Sequence, residues 1–470
     1  MTGTSPRIPL THPMLGRIGE SADRLGAEVY VVGGYVRDLL LGKAVHDLDV
    51  LVMGDAVAFA RDVARELGLH PVVPFERFGT AMVPLDEGKL EFVTARKEQY
   101  DPASRKPLVE PGTLADDLSR RDFTVNALAV ALNRDRFGEL SDPLGGVTDL
   151  GRGVLRTPLE PEQTYSDDPL RMMRAARFAA QLGFSVDPRS LKAIRTMRER
   201  ISIVSQERVS EELKKLLAAP VPSVGFRILQ DTGLLVLIFP ELAAMAGVEQ
   251  RQEYHHKDVF LHSLKVLDNL AAVSDNLWLR FTALVHDIAK PRTKAFVEGT
   301  GWTFHGHEEV GARMMKKIFQ RMRLPMDRLP YVEKLVRLHL RPMALVDEEV
   351  TDSAVRRMVF EAGESIDDLM TLCRADITSK NPALVARVLK NYDLVARKVI
   401  EVEEKDRLRN WQPPVKGDEI MAVCGIGPGR LVGRLKTAIE EAILDGRIPN
   451  EHDAALAYLL LIKDAYREGE

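Results

Sequence analysis

The stretch Val31–Val52, VVGGYVRDLLLGKAVHDLDVLV, decides how the rest of the chain is read. An apolar run ends in two adjacent glycines, Gly33 and Gly34; positions 35 to 46 then lead to Asp47-Leu48-Asp49-Val50 and a second apolar run. In an extended strand successive side chains point to opposite faces, so Asp47 and Asp49 share one face while Leu48 and Val50 turn toward the core. Two carboxylates held that close repel. A pair of Mg²⁺ ions, hard cations that take oxygen ligands, relieves the repulsion and can clamp a nucleoside triphosphate for in-line displacement. The glycines suit the same chemistry, because a residue without Cβ lets backbone N–H groups approach phosphate and a helix is expected just after them. Arg37 then faces the triphosphate. The bland alternative is a buried strand with a glycine turn and two solvated aspartates, and the glycine pair at this spacing favours the metal reading.

GGYVRDLLLG followed by DLD resembles the signature of the nucleotidyltransferase superfamily, and within it the bacterial class II tRNA CCA-adding enzymes and poly(A) polymerases. The resemblance implies phosphate binding by Gly33, Gly34 and Arg37, and catalysis by Asp47 and Asp49 on Mg²⁺. Strands are expected at 29–33, 48–53, 71–74, 79–85 and 90–94, with helices at Met14–Leu25 and Asp55–Leu67. In the last strand, LEFVTAR, Glu91 shares a face with Val93 and is a candidate third acidic ligand.

Composition bounds the rest. A chain of 470 residues exceeds a single core and implies two or more domains. A net charge of −4 excludes a uniformly basic nucleic-acid coat, yet 65 Lys and Arg suffice for one basic face, so RNA stays open as a partner. Cys373 and Cys424 are too few for a disulfide framework or a thiolate zinc site, which suits a reducing compartment. No signal-peptide pattern opens the chain and no apolar run approaches the roughly 20 residues of a membrane span, so a cytoplasmic protein is expected.

Gln99–Gly112, QYDPASRKPLVEPG, has no apolar period and is expected to be a mobile loop. Arg120-Arg121-Asp122-Phe123-Thr124, with Asn126, resembles the family's ribose-recognition motif, which implies that Arg121, Asp122 and Asn126 bind the sugar. Asp142–Leu150 is turn-rich and closes the α/β part near Thr157. From 160 onward the pattern is expected to stay helical. In DDPLRMMRAARFAAQLGF, Asp167–Phe184, Leu170, Met173, Ala176 and Ala180 form an apolar stripe, and Asp168 and Arg171 lie one turn apart. Residue by residue this is a capped helix with a surface ion pair. Its resemblance to the family's EDxxR motif implies instead that Asp168 and Arg171 read the base edges of incoming CTP or ATP, although Asp167 stands where the family usually has Glu. The next resemblance, to ERxxxE, falls on QERVSE and implies that Glu207, Arg208 and Glu211 brace that helix.

Seven of the eleven histidines lie between 255 and 339: His255, His256, His262, His286, His305, His307 and His339. Imidazoles with carboxylates are ligands for Mn²⁺, Fe²⁺, Ni²⁺ or Zn²⁺. LVHDIAKP and CRADITSKNP resemble the HD phosphohydrolase domain, whose H…HD…D tetrad maps onto His262, His286, Asp287 and Asp376. His307 and His339 are then the extra ligands of a two-metal version, and His305 is a weaker candidate.

These readings give an α+β head of the nucleotidyltransferase type, with a mixed sheet and helices, followed by an all-α body. The expected division is a head at 1–157, a helical neck with nucleobase recognition at 158–240, an HD-type metal-binding domain at 241–400 and a helical tail at 401–470. The implied activity is template-independent addition of C and A, from CTP and ATP, to tRNA 3′ ends. A-only addition and poly(A) synthesis share the same catalytic residues; the family's CC-only branch has a shortened loop where this chain has an intact 99–112. A reading from another class is an HD phosphohydrolase or phosphodiesterase with a nucleotide-binding head, and the complete head motifs argue against it.

Overall fold

The computed structural model describes residues 6–45, 47–99, 108–252, 255–299, 301–347, 351–379, 381–406 and 413–467. Helix α1 (Pro13–Leu25) starts at His12, whose imidazole accepts from the Met14 N–H at 3.3 Å, and stops at Gly26, φ +64°. Strand β1 (Glu28–Val32) runs into the glycine turn, and helix α2 (Gly34–Leu40) begins at once. Strand β2 (Leu48–Met53) carries Asp49. Asp55 then caps α3 (Ala56–Leu67), accepting from the Val57 and Ala58 N–H groups at 2.9 and 3.0 Å. Next come β3 (Val73–Phe75), β4 (Thr80–Pro84), β5 (Lys89–Thr94), β6 (Arg96–Gln99), β7 (Leu108–Pro111), helix α4 (Leu114–Ser119), β8 (Ala129–Ala131) and β9 (Leu140–Ser141).

Seven strands form one mixed sheet in the order β3-β4-β5-β2-β1-β8-β9. The β2–β5 pair is parallel and the other neighbours are antiparallel. Alternation sorts the two faces. Val29, Val31, Leu48, Val50, Val52, Leu90 and Phe92 pack with Leu15 and Ile18 of α1 and Ala60 and Val63 of α3. Tyr30, Val32 and Leu51 turn the other way, into a smaller cluster with Leu118, Ala127 and Ala129. Asp49 stands on that second face, at the start of β2 where the cluster has not yet closed over the strand.

One expectation is corrected. The polar stretch 99–112 is not a plain loop: β6 and β7 pair in a hairpin, Arg96 opposite Pro111 and Gln99 opposite Leu108, with 100–107 outside the described residues. Backbone pairing needs no apolar alternation, and Arg96-Lys97-Glu98-Gln99 offers none. The body is helical as expected, with short two-stranded pairs between its helices. After α5 (Gly146–Arg152), strand β10 (Val154–Leu155) pairs in parallel with β11 (Ser185–Val186), which follows α6 (Pro161–Asp167) and α7 (Leu170–Leu182). Further short antiparallel pairs join Glu249–Gln252 to His255–Asp258 and Ala295–Val297 to Gly301–Thr303. The helical stretch 161–182 is broken at Asp168, φ −138° and ψ 100°, because Pro169 pushes its predecessor out of the helical region. Helices α8 (Pro188–Met197) and α9 (Gln206–Leu217) follow.

The chain divides into two units, Met1–Pro240 and Glu241–Glu470. In the second, the helices Val259–Ala271, Leu277–Val285, Leu329–Leu338 and Ile366–Ala375 share a core that includes Val266, Leu279, Leu335 and Leu369. The long helix Pro382–Asp406 adds Tyr392, Val395, Val399 and Val402, a stripe at helical spacing. The last helices, Gly417–Cys424, Arg430–Leu444 and His452–Arg467, bury a separate core around Ile420, Leu435, Ile439 and Leu459. Among the described residues no helix is long and apolar enough to cross a membrane.

Candidate active site and metal centre

The first site lies at the start of β2. Asp47 is exposed just before the strand and its Oδ1 accepts from the Lys89 N–H at 3.1 Å. Asp49 stands directly across from Glu91 in the parallel register, and Lys89 Nζ reaches Glu91 Oε2 at 3.1 Å. Burial raises the Asp49 carboxyl, and the charges of Glu91 and Asp47 raise it further, against Arg121 and Lys89. Three carboxylates with oxygen donors only, one of them mostly buried, are a donor set that fits Mg²⁺.

Gly33 beside them has φ +72° and ψ −129°, a region that strains any other residue. A Cβ there would meet Arg121 Nη1 at 2.7 Å. Glycine is therefore what lets the sugar-motif arginine lie over the turn. Arg121 is held by the buried Asp117, whose Oδ2 accepts from Nη2 at 2.9 Å and which also pairs with Arg120. Burial alone would raise the Asp117 carboxyl; Arg121 and Arg120 outweigh it and leave the group lowered. Asp117 was not singled out from sequence, although its i, i+3 and i, i+4 spacing to the two arginines was visible.

Arg37 is buried. Its Nη1 donates to Asn126 Oδ1 at 2.6 Å and its Nε to Asp38 Oδ1 at 2.9 Å. Both Asp122 oxygens are taken by protein donors. Oδ1 accepts from the Phe123 N–H at 2.9 Å and Asn126 Nδ2 at 3.0 Å; Oδ2 accepts from Arg174 Nε at 2.8 Å, and Arg174 Nη2 lies 2.6 Å from the same oxygen as an ion-pair contact. Burial pushes this carboxyl up, but Arg174 and Asn126 overcome it and hold it at about 2.

Asp168 and Arg171 do not pair with each other through their side chains. Asp168 Oδ1 accepts from the Leu170 N–H at 3.2 Å and Oδ2 pairs with Arg208 at 3.0 Å, so Arg208 does brace this corner. Arg171 is buried and donates to the carbonyls of Arg120 and Thr164. The expected brace at Glu211 is corrected: Glu211 is exposed and pairs with Lys214, whereas Glu212 is buried against Arg177 at 2.6 Å and Arg174 at 3.7 Å. One position of helical phase separates the solvent face from the core. Arg174, Arg177 and Glu212 were missed because buried arginines and glutamates are rare enough that charge reads as surface.

The second site is in the unit Glu241–Glu470. His262, His286 and Asp376 form one set of donor atoms and Asp287, His307 and His339 another, each set within 4.8 Å. Asp287 lies between them: Oδ2 is 3.3 Å from His286 Nε2 and 3.7 Å from His262 Nε2, while Oδ1 is 3.2 Å from His307 Nε2 and 3.8 Å from His339 Nε2. Every imidazole is oriented by its other nitrogen, as metal-ligating histidines are. The Nδ1 atoms of His286, His307 and His339 meet the carbonyls of Ala283, Phe304 and Val336 at 2.8, 2.8 and 2.6 Å, and that of His262 meets Thr378 Oγ1 at 3.0 Å. Asp376 Oδ1 in turn faces His262 Nε2 at 2.8 Å and His286 Nε2 at 3.6 Å, so each inward atom has another potential metal ligand as its neighbour. Burial disfavours a charged His286, yet Asp287 and Asp376 raise it to about 9; burial and the His286 charge push His339 down to about 3. Inward nitrogens and a shared carboxylate fit divalent metal. Lys290, not singled out from sequence, donates to Asp287 Oδ2 at 2.7 Å. His305 is exposed, and the side chains of His255 and His256 lie outside the described residues.

The chain is similar to known proteins along most of its length. Residues 29–156 match the poly A polymerase head domain, 183–245 the probable RNA and SrmB-binding site of polymerase A, and 259–380 the HD domain. An A-adding tRNA nucleotidyltransferase of Deinococcus radiodurans is 36% identical over 90% of this chain and 93% of its own. A CC-adding tRNA nucleotidyltransferase of Thermus thermophilus is 33% identical over 92% and 93%. Among solved structures, a tRNA nucleotidyltransferase complexed with a primer tRNA and an incoming ATP analog is 26% identical, with a TM-score of 0.59 over 82% of this chain and 99% of that one. The Bacillus stearothermophilus CCA-adding enzyme in complex with CTP, 23% identical, shares the fold with a TM-score of 0.64 over 98% and 100%. With head, RNA-binding and HD segments matched in order along a chain this similar to its relatives, the protein belongs to the HD-containing class II tRNA nucleotidyltransferase and poly(A) polymerase family.

Proposed function

We propose that this protein extends tRNA 3′ ends with C and A from CTP and ATP, without a nucleic-acid template. The observation that carries this reading is the carboxylate group Asp47, Asp49 and Glu91 beside the Gly33 turn, with the sugar-motif arginine lying over that turn. Asp47 and Asp49, with Glu91, would hold Mg²⁺, which when bound neutralises triphosphate charge and polarises the α-phosphate. The tRNA 3′-hydroxyl forms the new P–O bond there and pyrophosphate leaves. The Gly33-Gly34 turn and the start of α2 bind phosphate, Arg121 faces the sugar, and Asp168 with Arg171 reads the base. Positioning and electrostatics carry such chemistry. The division is a catalytic head at 1–157, a neck at 158–240, an HD domain at 241–400 and a tail at 401–470, in a cytoplasmic protein.

A narrower reading has one observation behind it: the Deinococcus relative, matched along nine-tenths of both chains, is named an A-adding enzyme. At the HD site, His262, His286, Asp287, His307, His339 and Asp376 would hold Mn²⁺, Fe²⁺, Ni²⁺ or Zn²⁺, which activates water against phosphoesters when bound. The test is incubation with tRNA ending at the discriminator base, at CC, or complete, with CTP and ATP separately and together, resolved to single nucleotides. CCA completion on the first substrate is expected. Extension of tRNA-CC alone assigns the A-adding activity, and phosphoesterase activity with no extension overturns the transferase reading.

A further inference from the structure

A chain of polar and charged contacts, partly buried at Asp38 and Arg174 and buried between, runs through the first unit. Asp38 binds Arg37, Arg37 binds Asn126, Asn126 binds Asp122, Asp122 binds Arg174, and Arg174 with Arg177 binds Glu212. It starts on the helix that follows the glycine turn and ends on α9. The guanidinium carbons of Arg37, Arg174 and Arg177 lie 5.2, 5.3 and 3.8 Å from the centre of one ring, Phe178.

Asp122 is buried and accepts three hydrogen bonds from the protein, from the Phe123 N–H, Asn126 Nδ2 and Arg174 Nε, with the Arg174 charge against Oδ2. What it does is fix where the segment 120–126 sits. Two arginines on one face of α7 grip that segment: Arg171 through the Arg120 carbonyl, Arg174 through the Asp122 carboxylate. Only the second pairs opposite charges, with Nε and Nη2 of Arg174 both set against Asp122 Oδ2.

We propose that Arg174 is a positioning residue that locks the sugar-binding segment 120–126 onto the base-reading helix α7, so that selection of the ribose and selection of the base depend on the same ion pair. This rests on the nucleotide-binding reading above. Arg174 touches neither sugar nor base; it acts through Asp122. Removing it frees the segment from the helix, and both discriminations fall together.

The test measures binding of ATP, dATP and GTP to the full chain with Mg²⁺ by titration calorimetry, alongside tRNA extension. In Arg174→Gln the ATP-to-dATP and ATP-to-GTP affinity ratios are each expected to fall at least fivefold. Arg174→Lys, which keeps the charge but not the planar fork, is expected to fall in between. If the glutamine variant does not fold, the lysine variant decides by the same ratios. Either ratio remaining at its wild-type value in a folded variant overturns the proposal, because a merely structural arginine lowers stability without moving selectivity. Failure of wild-type protein to extend tRNA, while the ratios move as expected, sinks the transferase reading and leaves the role of Arg174 standing.

Discussion

Asp122 is buried and Asp49 partly so, and their surroundings drive the two carboxyls in opposite directions. Burial and the carboxylates of Glu91 and Asp47 raise Asp49, so its charge is unfavourable until a cation is near. Asp49→Asn is expected to reduce nucleotide transfer at least ~10³-fold, as loss of a main transition-state charge partner does, while its melting temperature without added metal stays at or above wild type. Steady-state kinetics and a thermal melt check both halves. Asp122 is held at about 2 by Arg174 and Asn126 against its burial. Its folded value is depressed, so the stability it contributes is present above pH 4 and is lost as pH falls through about 2. The shift corresponds to about 2 kcal/mol. Asp122→Asn is expected to be less stable than wild type by that order at pH 7, with the gap closing between pH 4 and pH 2 in denaturant titrations.

At the scale of the element, the glycine turn between β1 and α2 ties local backbone to site geometry. Gly33→Ala is expected to destabilise by about 1–3 kcal/mol, the range for a residue forced into a sparsely populated backbone region. It should also displace Arg121, since the added Cβ falls 2.7 Å from Nη1. A raised KM for nucleotide together with a lowered denaturation midpoint is the expected pair of results. Gly34→Ala is the control, because at Gly34 the nearest atom to a Cβ is Arg37 Nη2 at 3.6 Å. The strands that flank this turn were legible because Leu48, Val50 and Val52 alternate with Asp49 and Leu51, a period of two that survives any context. The arms of the 96–111 hairpin were not, because their pairing is a matter of backbone hydrogen bonds that Lys97 and Glu98 do nothing to announce.

The whole molecule holds two units with their own cores and their own candidate metal sites. Ligand that binds only the folded state stabilises the unit that binds it. Calorimetry of the full chain is therefore expected to show a transition that Mn²⁺ raises and EDTA lowers, and Asp287→Asn, which removes the carboxylate shared by both donor sets, should abolish that response while leaving nucleotide binding intact. The residues of this centre were readable as types: His262, His286, Asp287, His307, His339 and Asp376 were all marked by ligand chemistry and by resemblance. Their sharing of Asp287, and the three carbonyls and the Thr378 hydroxyl that turn each Nε2 inward, belong to the packing of the helices and could not be read from a line of text. The sequence by itself determined the central strands of the head, the two faces of the sheet and the carboxylates and imidazoles gathered at both candidate sites, because these follow from side-chain period and from what each group can ligate. Tertiary structure alone decided that Arg37, Arg174 and Arg177 surround one phenylalanine and that Asp122 is bound by Arg174 and Asn126. Those facts depend on which distant segments meet, and a buried charge is indistinguishable from a solvated one until its partner is in place.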